Sequence, residues 1–377
     1  MYIETVILSS SRCLFNKSIP FISLPEYRVS RLITTLAVCS LFVAPTVSAQ
    51  ECVAHQPNVT FTGPDSLNLD SSKLIFEERF DDLADFVIPE EDASCLRSLR
   101  PECSLLPQGW TQFLSSERWF PDAGATDVNP SLQISNEQFR GAGGKSMIIW
   151  DESYGGPSTW GSDAVFAREL GQDIKDVYAE FYVLFQPGYR WHHIERGSGT
   201  NLAKLFRLTH FDGGGGNPFK FFSSGDSAPL FLLDLNIWTF TDNSGVVDNR
   251  TGLSSAVRCD PQGSNYRCDN YTENELSRLN GDPSFVESFG DGAWHKIGVR
   301  VAMNSSPGVH DGIITIWVDD LLVGHRDDVP FLGAGAPPEN GWNMVMLGGN
   351  MHNYPEPEEN RFEQWTAIDD FRLYRLD

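Results

Sequence analysis

Short segments in which apolar and polar residues alternate recur along this chain, and the most regular begins near residue 295. There Ile297, Val299 and Val301 interleave with Lys296, Gly298 and Arg300, the period of a strand with one face buried. A second β-rich run, Gly312 to Val318, follows, and Asp319-Asp320 interrupts it before Leu321, Leu322 and Val323 resume. This is the pattern of two antiparallel strands joined by a tight turn. Comparable segments predict strands at Lys73 to Phe80, Gly143 to Trp150, Ala164 to Leu170, Asp176 to Phe185, Leu202 to Phe211, Pro229 to Phe240 and Met344 to Leu347, with a last strand at Ala367 to Tyr374. Gly348-Gly349-Asn350 reads as a turn, and Asp85 to Asp127 as long loops without periodicity. Pairing of the first and last strands would close a sandwich.

Composition agrees with an all-β architecture. Aromatic residues make up 12% of the chain, with 33 glycines and 22 prolines, and no long helical periodicity is present. One helix is expected, at Glu273 to Leu279, inside an insertion spanning 248–290. The domain organisation expected is a leader over residues 1–49, an Asn/Ser/Thr/Pro-rich arm over 50–72, and one large domain over 73–377. The leader is a secretory signal peptide: Arg28 and Arg31 precede an apolar run from Leu32 to Ala44, and Val47-Ser48-Ala49 supplies small residues for cleavage. That run is too short to span a membrane, so the protein is expected to be secreted or periplasmic, and a monomer.

Export makes cysteine pairing plausible. Cys95 with Cys103 and Cys259 with Cys268 are expected to form two local disulfides, leaving Cys52 over. No CxxC spacing occurs, which argues against zinc. The net charge of −23 excludes nucleic acid as a partner. It also opposes a polyanionic substrate at long range, unless a local basic cleft overrides it.

The order Gly292-x-Trp294-His295, alternating strand, Asn304, Asp311-Gly312, Ile316-Trp317-Val318-Asp319 resembles the late strands of concanavalin A-like jelly rolls. It is most similar to the polysaccharide lyases that act on glucuronan and alginate. The resemblance extends in outline from Lys73 to the C-terminus and implies a jelly-roll β-sandwich with long loops. It also implies β-elimination of an acidic polysaccharide, in which a cation neutralises the uronate carboxylate and a base removes the C5 proton. Lys204, Arg207 and His210 are the catalytic candidates. In a regular strand Lys204, Phe206, Leu208 and His210 share one face and Leu205, Arg207 and Thr209 the other. Lys204 also precedes the glycine run Gly213 to Gly216, as a lysine does in the lyases.

The chain departs from that family at the next strand, where the lyases carry Ser-x-Arg and tyrosines and this sequence has Asp234, Asn236 and Trp238. These suit a neutral sugar, by hydrogen bonding and stacking. A non-catalytic, lectin-like module is therefore the alternative to the lyase. Lys204, His210, Asp234, Asn236 and Trp238 are expected to converge on one solvent-open face, with Trp191, His193, Asn350 and His352 as further substrate contacts from loops. A retaining glycosidase is disfavoured because no strand carries the required pair of neighbouring carboxylates. No cofactor is required. By the same resemblance a structural calcium is expected between Asp81 and Asp370, with backbone carbonyls completing its shell; the alternative is that the pairs Asp81-Asp82 and Asp369-Asp370 are solvated turn residues.

Overall fold

The computed structural model describes residues 63–86, 106–115, 131–152, 160–190, 199–211, 231–241, 252–258, 289–352 and 362–377. The leader, all the cysteines, the helix expected at Glu273 to Leu279, Trp191 and His193 lie outside them.

Fourteen strands are present among the described residues, after a 3₁₀ turn at Pro64–Leu67. In chain order they are β1 Leu74–Glu78, β2 Gln112–Ser115, β3 Leu132–Ser135, β4 Ser146–Glu152, β5 Trp160–Ile174, β6 Asp176–Phe185 and β7 Gly199–His210. There follow β8 Phe231–Thr241, β9 Gly252–Arg258, β10 His295–Ala302, β11 Gly312–Val318, β12 Leu321–Val329, β13 Trp342–His352 and β14 Glu363–Arg375. They form two antiparallel sheets. The larger runs β12-β11-β10-β6-β14-β4-β3, with β1 added against β14; the smaller runs β2-β5-β13-β7-β8-β9. The expected all-β sandwich is thus observed, and its first and last strands do pair, Phe76 opposite Leu373 and Glu78 opposite Phe371.

The alternation read from the sequence decides which side chains meet between the sheets. Val177, Ala179, Phe181, Val183 and Phe185 of β6 and Ile297, Val299 and Val301 of β10 all enter one core, while Lys296, Gly298 and Arg300 point away from it. Aromatic rings join the two sheets across it. Phe181 stacks on Phe206 at 5.7 Å between centroids, and Phe206 meets Phe371 at 6.2 Å. Trp110 adds a link between Phe166 and Phe371. Each such pair adds about 0.5–1.5 kcal/mol beyond the area it buries.

The turn at Asp319-Asp320 is as expected: both residues have positive φ, 49° and 65°, which two-residue hairpin turns demand and aspartate tolerates. Asn304 is also structural. Its amide donates to the carbonyls of Ser306 and Leu332 and its carbonyl accepts from Leu332 N, tying the β10–β11 loop to the segment after β12.

Three expectations need correction. Gly348-Gly349 is no turn; it lies inside β13, where the pairing with β7 slips between Leu347 and Met351. Gly348 has φ +79°, and a Cβ there would sit 2.2 Å from the Ala164 carbonyl oxygen, so the glycine is a bulge device rather than a chain reversal. The stretch read as loops contains β2, and the stretch read as an insertion contains β9; both are short edge strands of the smaller sheet, recruited by pairing rather than by their own patterns.

Candidate functional site

The two faces of the smaller sheet carry different residues. On β7, Ala203, Leu205, Phe206 and Leu208 enter the core, and so do Phe231, Leu233, Leu235 and Ile237 of β8. Leu205 and Phe206 are neighbours, yet both point inward. The reason is a β-bulge: β7 pairs Lys204 with Asn236 and Phe206 with Leu235, leaving Leu205 as an extra residue. Strand parity reverses there. Lys204 therefore shares the outward face with Arg207 and not with His210, which corrects the face assignment made from regular alternation.

Lys204 and Arg207 converge on a single carboxylate. Arg207 Nη2 donates to Asp234 Oδ2 at 2.7 Å, and Lys204 Nζ lies 3.8 Å from the same oxygen. Gly349 makes this approach possible: a Cβ at that position would come within 2.3 Å of Lys204 Cβ and within 3.3 Å of its next two carbons. The cluster is not open to solvent as expected, since Lys204, Arg207 and Asp234 are 8%, 5% and 2% exposed. Charges normally stay wet, but opposite charges that compensate one another can be buried together.

Strand register extends the site across the sheet. Arg207 is paired with Met346, and Met346 with Ala167; Thr209 is paired with Met344, and Met344 with Glu169. Val165, Ala167, Met344 and Met346 form a second apolar cluster with Leu114 and Phe211, separate from the core. The face thus carries an apolar cluster over β5 and β13, with Glu169 beside it, and charged residues over β7 and β8. Positions 236 and 238 alternate in step with Asp234, and Asn350 and His352 fall in the last turns of β13, His352 opposite Leu202. The side chains of these four lie outside the described residues.

His210 does not join this face. Its ring stacks on the core residue Phe231 at 5.1 Å, and its Nδ1 lies 2.8 Å from the Gly341 carbonyl and 2.9 Å from an Asp173 carboxylate oxygen. Both neighbours are acceptors, so Nδ1 carries the hydrogen and the ring pins the start of β13 to the β5–β6 hairpin. Glu180 is likewise remote, on the outer face of the larger sheet between Lys296 and Arg372 at 3.3 Å from each.

A network that sequence inspection missed holds the chain leading to Trp191 and His193. Tyr189 donates to Asp151 Oδ2 at 2.9 Å, Gln364 Nε2 donates to the same oxygen at 3.1 Å, and the Gln364 carbonyl accepts from Arg190 N at 2.8 Å. Burial, reinforced by the Asp151 charge, drives the Tyr189 hydroxyl well above the usual tyrosine range, so it remains a donor. Tyr189 and Gln364 lie about 170 positions apart in the chain, on the order of the whole domain, and no local pattern connects them.

The calcium expectation meets a different arrangement. β14 bulges at Asp369-Asp370, where Asp370 has φ +49°. The Asp370 carboxylate is taken by the Arg140 guanidinium, and Asp81 accepts from Lys145 N. Asp369 is buried instead. Burial first, then the charges of Asp370 and Asp81, push its pKa up to about 7, against the backbone donors of Asp370 and Arg140. Among the described residues no three carboxylate, histidine or cysteine side chains are grouped to hold a metal.

No protein-family model matches the chain, and a search of curated proteins finds no relative. Solved structures similar in fold include the alginate lyase Aly36B in complex with an alginate trisaccharide, at 11% identity over 80% of this chain and 97% of that one, with a TM-score of 0.45. They also include the PL-14 alginate lyase of Aplysia kurodai, at 15% identity over 65% and 87% with a TM-score of 0.37. A third is the endo-β-1,4-glucuronan lyase of Trichoderma reesei, at 10% identity over 71% and 91%, also with a TM-score of 0.37. At such identities the likeness is one of fold, and no helix among the described residues is long and apolar enough to cross a membrane.

Proposed function

We propose that this is an exported, polysaccharide-active β-sandwich that receives an acidic polysaccharide over the outward face of its smaller sheet and cleaves it by β-elimination. The observation that supports this reading is the convergence of Lys204 and Arg207 on one carboxylate position, on a face distinct from the core. A uronate carboxylate held there would have its negative charge stabilised as C5 loses its proton. The C4–O bond then breaks, the C4=C5 double bond forms, and the leaving oxygen takes up a proton. Arg207 suits the first role because its planar fork is preorganised for a carboxylate. His210 is not carried forward as the proton acceptor, because its ring stacks on the core residue Phe231, on the other face of the sheet from Lys204 and Arg207. His352, on the strand that borders Lys204, takes its place as the candidate to test.

A second reading, binding without cleavage, has its own observation: among the described side chains that alternate onto this face there is no histidine or tyrosine. One experiment separates the two. Purified protein is incubated with glucuronan and with alginate while the ultraviolet absorbance of the unsaturated uronate is followed, and retention on the same polymers is measured by affinity electrophoresis. Rising absorbance, abolished in Lys204→Met, supports the lyase; retention with flat absorbance assigns a binding module; neither on any polyuronate removes both.

A further inference from the structure

The site contains its own carboxylate. We infer that Asp234 is a specificity-determining residue that occupies the anion position of the Lys204–Arg207 pair, so that a substrate carboxylate binds by exchange with it. The inference deepens the reading above and rests on it only for the identity of the substrate as a uronate.

An aspartate side chain and a uronate present the same group, a carboxylate on one carbon. Both cations approach one oxygen of Asp234, Oδ2, at 2.7 and 3.8 Å, which is how a receptor would hold a bound anion. All three side chains are at least nine-tenths buried, so two like charges sit side by side where water screens them poorly, and an anion between them is obligatory. In this chain that anion is built in.

The surroundings decide which group yields on binding. Lys204 is confined, its stem lying against the Gly349 backbone with no room for a single added carbon. Arg207 is flanked in register by Met346 on one side and Asp234 on the other. Asp234 sits in β8, between Leu233 and Leu235, which anchor the strand in the core while its own side chain stands outward. A short side chain on a fixed strand can exchange its partner by rotating about χ1, without moving the backbone. The consequence is selectivity. An isolated uronate competes poorly against a tethered carboxylate, whose effective concentration is high, so binding requires an extended chain whose other sugars contact the same face.

The test is chemical rescue. Asp234→Ala and Asp234→Asn are compared with the unsubstituted protein by thermal denaturation in sodium chloride, sodium acetate and sodium glucuronate at matched ionic strength. The variants should melt lower in chloride and recover in both carboxylates, while the unsubstituted protein responds equally to all three salts. Variants that respond no more to acetate than the unsubstituted protein overturn the inference. Should neither single variant be obtained folded, Asp234→Asn is placed in the Lys204→Met background, which removes one of the two buried cations. Calorimetric affinity for a glucuronate oligomer should then exceed that of Lys204→Met alone by about tenfold or more, equivalent to about 1.4 kcal/mol, and an unchanged affinity rejects the exchange. Acetate rescue in a protein that retains no polyuronate sinks the proposed function and leaves the internal carboxylate standing; retention of polyuronate without rescue does the reverse.

Discussion

Arg207 shows how much one side chain carries at this site. Replacing it with methionine leaves Asp234 buried without its closest partner, and breaking a buried pair on one side costs about 3–5 kcal/mol. Arg207→Met should therefore lower the melting temperature and abolish retention on polyuronates, and the added change Asp234→Leu should restore most of the stability without restoring retention. Recovery of both together would show that the pair is structural only. His295 offers a separate residue-scale prediction. Burial alone would lower its pKa, but the hydrogen bond and charge of Asp319, with Asp291 behind them, carry it above the usual histidine range. A base whose folded pKa is raised stabilises the fold below its unfolded value, near 6.5, and loses that contribution as pH rises through the folded value. Between about pH 6 and pH 8 the unsubstituted protein should thus lose melting temperature relative to His295→Gln. A gap constant over that interval would count against the Asp319 clamp.

Strand β7 is the element on which the site depends, and its bulge gives Leu205 and Gly349 distinct tasks. Leu205 is fully buried, so Leu205→Ala should cost about 2–5 kcal/mol in denaturant unfolding. Because the bulge consists of the extra backbone residue rather than its side chain, retention of polyuronates at temperatures well below melting should survive. Gly349→Ala acts differently, placing a methyl 2.3 Å from Lys204 Cβ. Retention should fall in this variant more than in Leu205→Ala, whatever the change in stability. Equal losses in the two would mean that the bulge region matters only as packing. β14 uses the same device in the opposite sheet, where the slip at Asp369-Asp370 keeps Ile368 and Phe371 both in the core.

At the scale of the whole molecule, charge sets the conditions of encounter. With a net charge of −23 the protein repels a polyuronate, and at physiological salt that repulsion is felt only within about a Debye length, roughly 8–10 Å. Association should therefore accelerate as salt rises from low ionic strength, the reverse of a basic protein meeting a polyanion; a rate that falls with salt throughout would place the recognition on a steering basic surface instead. Calcium should leave the melting temperature of chelator-treated protein unchanged, because the Arg140 guanidinium already meets Asp370 while Asp369 and Asp81 accept from backbone N–H groups. A rise of several degrees in millimolar calcium would restore the ion site expected from the sequence.

The sequence by itself determined the strands of the core and their inward faces. β6, β10 and β11 send alternate residues into the core, and a period of two leaves one face for each side chain once the core claims the apolar set. It determined the Asp319-Asp320 turn for the same local reason, since backbone conformation and side-chain tolerance belong to the same two residues. It also singled out Lys204 and Arg207, though on opposite faces. Only the tertiary structure decided that both converge on Asp234 and that His210 packs against the core instead. A bulge is defined by pairing between strands, and no residue of β7 announces that Leu205 has no partner on β8. The edge strands β2 and β9, the burial of three charges around Asp234, and the network joining Tyr189 to Gln364 share that origin: each depends on contacts between segments far apart in the chain.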